Sequence, residues 1–356
     1  MLDLDAVDVL RHHDSLDCLG ITAAYDGQFL HVLEAASALP LPPRHAPVGK
    51  VVTIGTGGWS AQGVEIVQDI LFHELKVPLL NYPGYNLPAH VDCDSLVIVL
   101  SKYGNVEEVL STTAQANARG ASVLAVLAGG PLLDVCKAHR IPCLMMPLDR
   151  QPPRALIGYS VVPLLVFMHR LGLIRDFTPE IKALAVHFRR LAERYRVEVP
   201  VAQNRAKQLA LAIQGKIPLI YGSLDHYRAA ASRWKRQFGE NSKMMAFCNV
   251  IPSLHHDEAV GWEMERELLD RFCLIMLRDQ QYDSEKIKKR KDVSLQLLGE
   301  RLSRVIEVFA EGDSLVTRVF SLIHLADFVS IYLALARGID PGLVEVIDLF
   351  KRKMAE

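Results

Sequence analysis

Two short polar stretches on either side of an apolar run carry the residue types that acid–base chemistry needs. The first, Gln237-Phe238-Gly239-Glu240-Asn241-Ser242-Lys243, offers a carboxylate, and the second, Pro252-Ser253-Leu254-His255-His256-Asp257-Glu258, offers imidazoles. The run Met244–Ile251 between them reads as a strand, which would carry one group to each end of a cleft in a polar loop. A helix-capping glutamate and two surface histidines fit the same residues, since a carboxylate near a histidine is a common coincidence. The elements around these stretches have to separate the two readings.

The first half of the chain alternates short apolar runs with helical patterns. Strands are expected at Lys50–Ile54, Val77–Leu80, Ser95–Leu100, Ser122–Leu127 and Pro142–Met146, with helices over Ala61–Glu74, Val106–Arg119 and Pro131–His139. Continuous apolar strands joined by helices predict a parallel sheet covered on both faces. Helical residues dominate Arg154–Gln214, with a break near Asp176–Thr178. A second alternating set follows at Ile217–Tyr221, Met244–Val250 and Phe272–Leu277, then helices over Asp292–Ala310, Ser314–Arg337 and Pro341–Lys353. The fold class is α/β: two doubly wound parallel-sheet domains in a flavodoxin-like layout, flanked by N- and C-terminal helices. The expected segments are a helical arm at 1–45, ending in the Pro-rich connector Leu39–Pro47, a first domain at 46–195 and a second at 196–356.

Three loops stand where ligands sit in such sheets, beyond the carboxyl ends of strands. Ile54-Gly55-Thr56-Gly57-Gly58-Trp59-Ser60 follows the first strand and opens a helix, so its backbone N–H groups can face an anion. It lacks GxGxxG spacing, and no acidic residue closes the next strand, so a dinucleotide site is disfavoured; tight helix packing explains such a turn equally well. Ser101-Lys102-Tyr103-Gly104-Asn105-Val106-Glu107-Glu108 makes a second polar turn into a second helix, edging the same crevice. Gln151-Pro152-Pro153-Arg154 fixes a cation near a first helical turn, where the dipole disfavours it. That points to an anionic partner, or to an interdomain salt bridge.

Composition narrows the function classes. Half of the 356 residues are hydrophobic and the formal net charge is −1, so nothing global draws the chain to nucleic acid or to an anionic membrane. The run Ala155–Met168 contains Pro163 and is too short to span a bilayer, and the acidic N-terminus is unlike a signal peptide. Cys18, Cys93, Cys136, Cys143, Cys248 and Cys273 show no CxxC spacing and read as reduced core cysteines of a cytoplasmic protein, without a metal site. The basic run Lys286–Lys291 is flanked by Asp283, Glu285 and Asp292 and reads as a solvated helix face.

Taken in order, these turns form a pattern: Gly-Gly, Ser-x-x-Gly-Asn-x-Glu-Glu, Gln-Pro-x-Arg, Glu-Asn-x-Lys, Pro-x-Leu-x-His-x-Glu and a C-terminal helix carrying Lys351. The pattern resembles the bifunctional phosphoglucose/phosphomannose isomerases, which are built from two sugar-isomerase (SIS) domains, over roughly residues 48–353. The resemblance implies an aldose–ketose isomerase of the glucose 6-phosphate/mannose 6-phosphate type, acting through a cis-enediol with no cofactor. It implies that Glu240 is the base, that His256 assists ring opening from the other subunit of a homodimer, and that Arg154 and Lys351 are active-site cations. Gly57, Gly58, Trp59, Ser60, Ser101, Lys102, Tyr103, Asn105 and Val106 would line the sugar-phosphate site.

The departures fall on that phosphate site. The family pattern places hydroxyl residues where this chain has Trp59, Tyr103 and Val106, while Ser101 is kept. Large rings at 59 and 103 are expected to lean into the pocket, Ser60 could substitute after a one-residue shift, and Lys102 could supply charge. Two further readings stay open: an isomerase of a different sugar, and a catalytically silent sugar-binding or regulatory SIS protein.

Overall fold

A computed structural model describes residues 2–42, 47–55, 57–147, 149 and 151–354, without the side chains at 348 and 351. The centre of the Pro-rich connector, Thr56 of the first turn and the side chain of Lys351 therefore lie outside the described residues. The chain divides into two compact units, Tyr25–Val186, and Met1–Ala24 together with His187–Glu356. Helices α1 (Val7–His13) and α2 (Cys18–Ala23) belong to the latter.

In the unit 25–186 the order is α3 (Tyr25–Ala38), β1 (Lys50–Ile54), α4 (Gly58–Ile70), β2 (Leu79–Tyr82), β3 (Ser95–Ser101), α5 (Glu107–Ala118), β4 (Ser122–Leu127), α6 (Pro131–His139), β5 (Cys143–Met145), a 3₁₀ turn at Pro153–Ala155, and α7 (Gly158–Arg170). All five strands are parallel in the order β2-β1-β3-β4-β5. Valine, leucine and isoleucine fill the central strands because helices cover both faces, and each such side chain contributes roughly 1.5–3 kcal/mol on full burial. One face of the sheet buries Val52, Ile54, Val97, Val99, Ala125 and Leu127 in a single core. Helix α3 packs on α7, burying Tyr25, Phe29, Val32 and Leu33. The arm expected at 1–45 is thus divided, with α3 in this unit and α1 and α2 in the other.

The unit division falls within α8 (Thr178–Tyr195). Beyond it come α9 (Arg205–Ile213), β6 (Ile217–Ser223), α10 (Arg228–Glu240), β7 (Phe247–Ile251), α11 (Leu254–Asp257), α12 (Arg266–Leu269), β8 (Phe272–Arg278), α13 (Glu285–Gly299), β9 (Val305–Phe309), α14 (Leu315–Ala336) and α15 (Glu345–Met354). These four strands are parallel in the order β7-β6-β8-β9. The helix expected over Asp292–Ala310 is instead the second half of α13 followed by β9, whose residues alternate between buried and exposed as an edge strand requires. The strand expected from Met244 begins at Phe247, with Met245 exposed.

Helix α14 is long and apolar enough to cross a bilayer, but its apolar window is wholly buried in the protein, against α2, α9 and α10. Its start is fixed by a reciprocal cap between Ser314 and Thr317. The six cysteines are free thiols; Cys18, Cys136 and Cys273 are buried, whereas Cys93 is exposed rather than in the core.

Candidate active site

The two Gly-containing turns lie side by side because β1 and β3 are hydrogen-bonded neighbours, with Ile54 opposite Val99. They meet where the strand order reverses, the place where open α/β sheets receive ligands. Gly57 caps α4 at φ +94°, and Gly104 stands at φ +62° with its missing Cβ position only 2.0 Å from the Gly129 carbonyl oxygen. Only glycine fits either position, so both turns keep a backbone able to present N–H groups.

The side chains on these turns behave differently from expectation. Trp59 does not lean into the crevice as a blocking ring: it is buried, and its Nε1 donates to the Leu156 carbonyl at 2.7 Å. Ser60 is fully buried beside the Gly57 carbonyl, 3.5 Å from its hydroxyl. Lys102 is also buried, and its ammonium donates to the Asp149 carbonyl and Oδ1, both at 3.2 Å, and to the Gln151 carbonyl at 2.7 Å. Burial pushes the Lys102 ammonium below its ordinary pKa, an effect the Asp149 carboxylate partly offsets. Its charge is therefore directed at the 149–151 segment. Tyr103 is 41 % exposed and Asn105 is exposed, while Ser101 is buried at the end of β3. Val106 occupies the N-cap of α5 and makes no side-chain cap. Arg154 is buried within the Pro153–Ala155 turn.

In the other unit, Glu240 is the last residue of α10 rather than part of a loop. Helix α10 is clamped to α14 by a buried ion pair, in which Arg233 Nε and Nη2 donate to the Asp327 carboxylate at 2.9 and 2.8 Å. Gln237 Nε2 donates to Asp327 Oδ1 at 2.7 Å, Trp234 Nε1 to the Leu322 carbonyl at 3.0 Å, and Asn241 Nδ2 to Ser330 Oγ at 2.9 Å. Lys243, at φ +52°, donates from Nζ to the carbonyls of Glu240, Asn241, Asp340 and Pro341. It thereby caps the open carbonyls at the end of α10 and ties them to the segment before α15. Glu240 borders a cavity of about 730 Å³ shared with Lys243, Asp340, Leu343, Val344 and Ile347. Lys351 lies one helical turn beyond Ile347 on α15, its side chain outside the described residues.

The adjacent histidines sit in α11, a short helix rather than a loop, and they differ in commitment. His255 is bound through Nε2 to Ser294 Oγ at 2.8 Å and through Nδ1 to Arg290 at 3.0 Å, and burial and the Arg290 charge hold its pKa below the ordinary value. His256 is exposed, and it does not line the Glu240 cavity among the described residues. Among the described residues no group of three or more His, Cys, Asp or Glu could hold a metal ion.

The crevice of the second sheet, between β6 and β8, is filled by its own ion pairs. Ser223 Oγ and Lys291 Nζ donate to Asp283 at 2.7 and 2.5 Å, while Arg318 Nε (2.7 Å) and the Tyr227 hydroxyl donate to Asp279.

Residues 202–354 match the model of the bacterial phospho-glucose isomerase C-terminal SIS domain. A bifunctional phosphoglucose/phosphomannose isomerase from Caldicellulosiruptor bescii is 39 % identical over 87 % of this chain and 90 % of its own length. The chain belongs to the bifunctional phosphoglucose/phosphomannose isomerase family. The fold agrees: a hypothetical protein from Thermus thermophilus superposes with a TM-score of 0.73 at 16 % identity, covering 98 % of this chain and 94 % of that one. A glucose-6-phosphate isomerase like protein from the same organism gives a TM-score of 0.56 at 19 % identity, covering 96 % and 95 %. The second sheet falls within the matched SIS domain, and the first repeats its parallel α/β layout.

Within the phosphoglucose/phosphomannose isomerase framework, sequence reasoning missed residues that bond to the segments carrying the candidates Arg154 and Glu240. Gln28 donates to the Ala155 carbonyl at 3.0 Å and accepts from the Gly158 amide at 2.8 Å, yet nothing local to α3 signals that task. Asp327 was detectable in principle, as the one carboxylate inside a largely apolar 22-residue helix.

Proposed function

We propose that this family member interconverts glucose 6-phosphate and mannose 6-phosphate with fructose 6-phosphate. Glu240 takes the proton from C2 of the aldose or C1 of the ketose and returns it to the other carbon, passing through a cis-enediol. Arg154 balances the negative charge that develops on the enediolate oxygen. His256 moves a proton at the ring oxygen during opening, and Lys351 supplies a second cation. The reaction needs neither metal nor organic cofactor, since the substrate supplies both the electrons and the acceptor carbon. The phosphate is held by the backbone N–H groups of the two turns.

The observation that carries this reading is the fixing of Glu240. A buried ion pair and three further hydrogen bonds set the end of α10, which holds Glu240 at the edge of a cavity within the volume range of small-molecule sites. We further propose a homodimer in which the exposed His256 serves the partner's site, and a cytoplasmic setting. Exposed Tyr103 at the phosphate turn supports a second reading, the same chemistry on a sugar that differs at its phosphate end. Purified protein supplied with fructose 6-phosphate is expected to form glucose 6-phosphate and mannose 6-phosphate, read by coupled reduction of a nicotinamide. Complete inertness at millimolar substrate would overturn the reading.

A further inference from the structure

We propose that Trp59 and Lys102, which stand within the two phosphate-binding turns, are positioning residues that strap the segment carrying Arg154. The segment is fixed on both sides of the arginine. On its N-terminal side the Lys102 ammonium binds the Asp149 carbonyl, Asp149 Oδ1 and the Gln151 carbonyl, which uses all three of its donors. On its C-terminal side the Trp59 indole binds the Leu156 carbonyl at 2.7 Å. Gln28 bonds the Ala155 carbonyl at 3.0 Å and the Gly158 amide at 2.8 Å. Between these anchors, Pro152 and Pro153 restrict φ and leave little freedom to the buried turn.

Lys102 directly follows β3, and Trp59 stands in the first turn of α4, the helix that follows the neighbouring strand β1. The strap reassigns the chain's departures from the family pattern. Trp59 replaces a hydroxyl on the first turn, and Lys102 neighbours a lost hydroxyl on the second, yet neither head group is turned toward a ligand. Trp59 is spent on the Leu156 carbonyl, and Lys102 on two backbone carbonyls and the Asp149 carboxylate, so substrate phosphate gains no charge from Lys102.

Arginine's part in catalysis comes from the isomerase reading, so the inference rests on that reading, and the test separates the two. Trp59→Phe keeps a ring in the buried site and removes the donor; Lys102→Met keeps the chain length and removes the ammonium; Lys102→Gln retains a shorter donor. On fructose 6-phosphate, Trp59→Phe and Lys102→Met are expected to lower kcat about 10–100-fold, as a misplaced stabilising group does, with KM within about twofold of wild type. Lys102→Gln is expected to fall between Lys102→Met and wild type. Amide hydrogen exchange at residues 154–158 is expected to quicken in all three variants. A raised KM with unchanged kcat would make Trp59 and Lys102 substrate ligands and overturn the inference, as would unchanged exchange at 154–158. Wild-type protein inert on fructose 6-phosphate would remove the isomerase reading alone, and the exchange measurement would still decide whether the strap exists.

Discussion

Glu240 and a glutamine in its place have nearly the same shape and differ in basicity, so Glu240→Gln isolates proton transfer from binding. Removing a general base costs on the order of 10²–10⁴ in rate, so the variant is expected to lose proton exchange between substrate and solvent while its affinity for fructose 6-phosphate barely changes. Wild-type turnover in that variant would take the base assignment away from Glu240. The phosphate turns call for a different substitution. Restoring hydroxyls at 59, 103 and 106 together is the obvious repair, but Trp59 is buried and bonded, and trading it for serine would cost about 3–5 kcal/mol through the cavity left behind. The double variant Tyr103→Ser, Val106→Thr avoids that loss. The threonine introduced by Val106→Thr would also cap α5, which has no side-chain cap now, adding about 0.5–2 kcal/mol. The expected signature of the double variant is a lower KM with a raised melting temperature; an unchanged KM would place the phosphate elsewhere. Arg154, Glu240 and His256 stand out in the sequence as candidates because each lies in a distinctive short motif. The orientation of Trp59 was not legible there, because its partner carbonyl is 97 residues away and no local pattern records it.

Elements were legible to the degree that their burial was one-sided or complete. Strands β1 and β4 and helix α6 fall where the apolar runs predict, to the residue. Strand β9 was hidden, since five alternating residues after a long polar helix read as its continuation. The junction of α10 with α14 was hidden too, because it depends on one buried pair. Asp327→Asn would leave the Arg233 guanidinium buried without its counter-charge, at a cost of about 3–5 kcal/mol, whereas the double change Arg233→Met, Asp327→Leu should recover most of that. Urea unfolding of the single and double variants checks this, and an Asp327→Asn protein as stable as wild type would deny the clamp its role. The network closing the second sheet has a pH signature. Burial alone would raise the Asp279 pKa, but Arg318, Tyr227 and the amides of Gln281 and Tyr282 hold it below 3.8. A carboxyl depressed in the fold adds stability that is fully present above the unfolded value and is lost as pH falls through the folded one. Between those two values the unfolded chain binds more protons, so stability rises with pH there. Asp279→Asn is expected to lower the urea midpoint at pH 7 and to flatten its decline below pH 3.8; an unaltered acid limb would assign the decline to other carboxylates.

At the scale of the whole molecule, the proposed role of His256 depends on a second copy of the chain. His256 is exposed on α11 and, among the described residues, is not part of the lining of the Glu240 cavity. Helix α15 presents Val346, Phe350 and Met354 at 81, 66 and 66 % exposure, apolar surface of the kind an interface buries. A near-neutral chain sets up little repulsion between copies. A two-fold dimer would reconcile these facts by lending each His256 to the other chain's site. The arrangement predicts complementation between two dead proteins. On the proposed roles, Glu240→Gln and His256→Ala are each expected to abolish activity when the variant pairs only with itself. After unfolding and refolding as an equal mixture, about half of the dimers are mixed, and in a two-fold dimer each mixed pair holds one site with both residues intact. The mixture is therefore expected to recover about a quarter of wild-type activity, with sedimentation reporting a dimer at micromolar concentration. Recovery that stays at zero while sedimentation shows mixed dimers would confine Glu240 and His256 to the same chain, and sedimentation as a monomer would remove the shared site altogether.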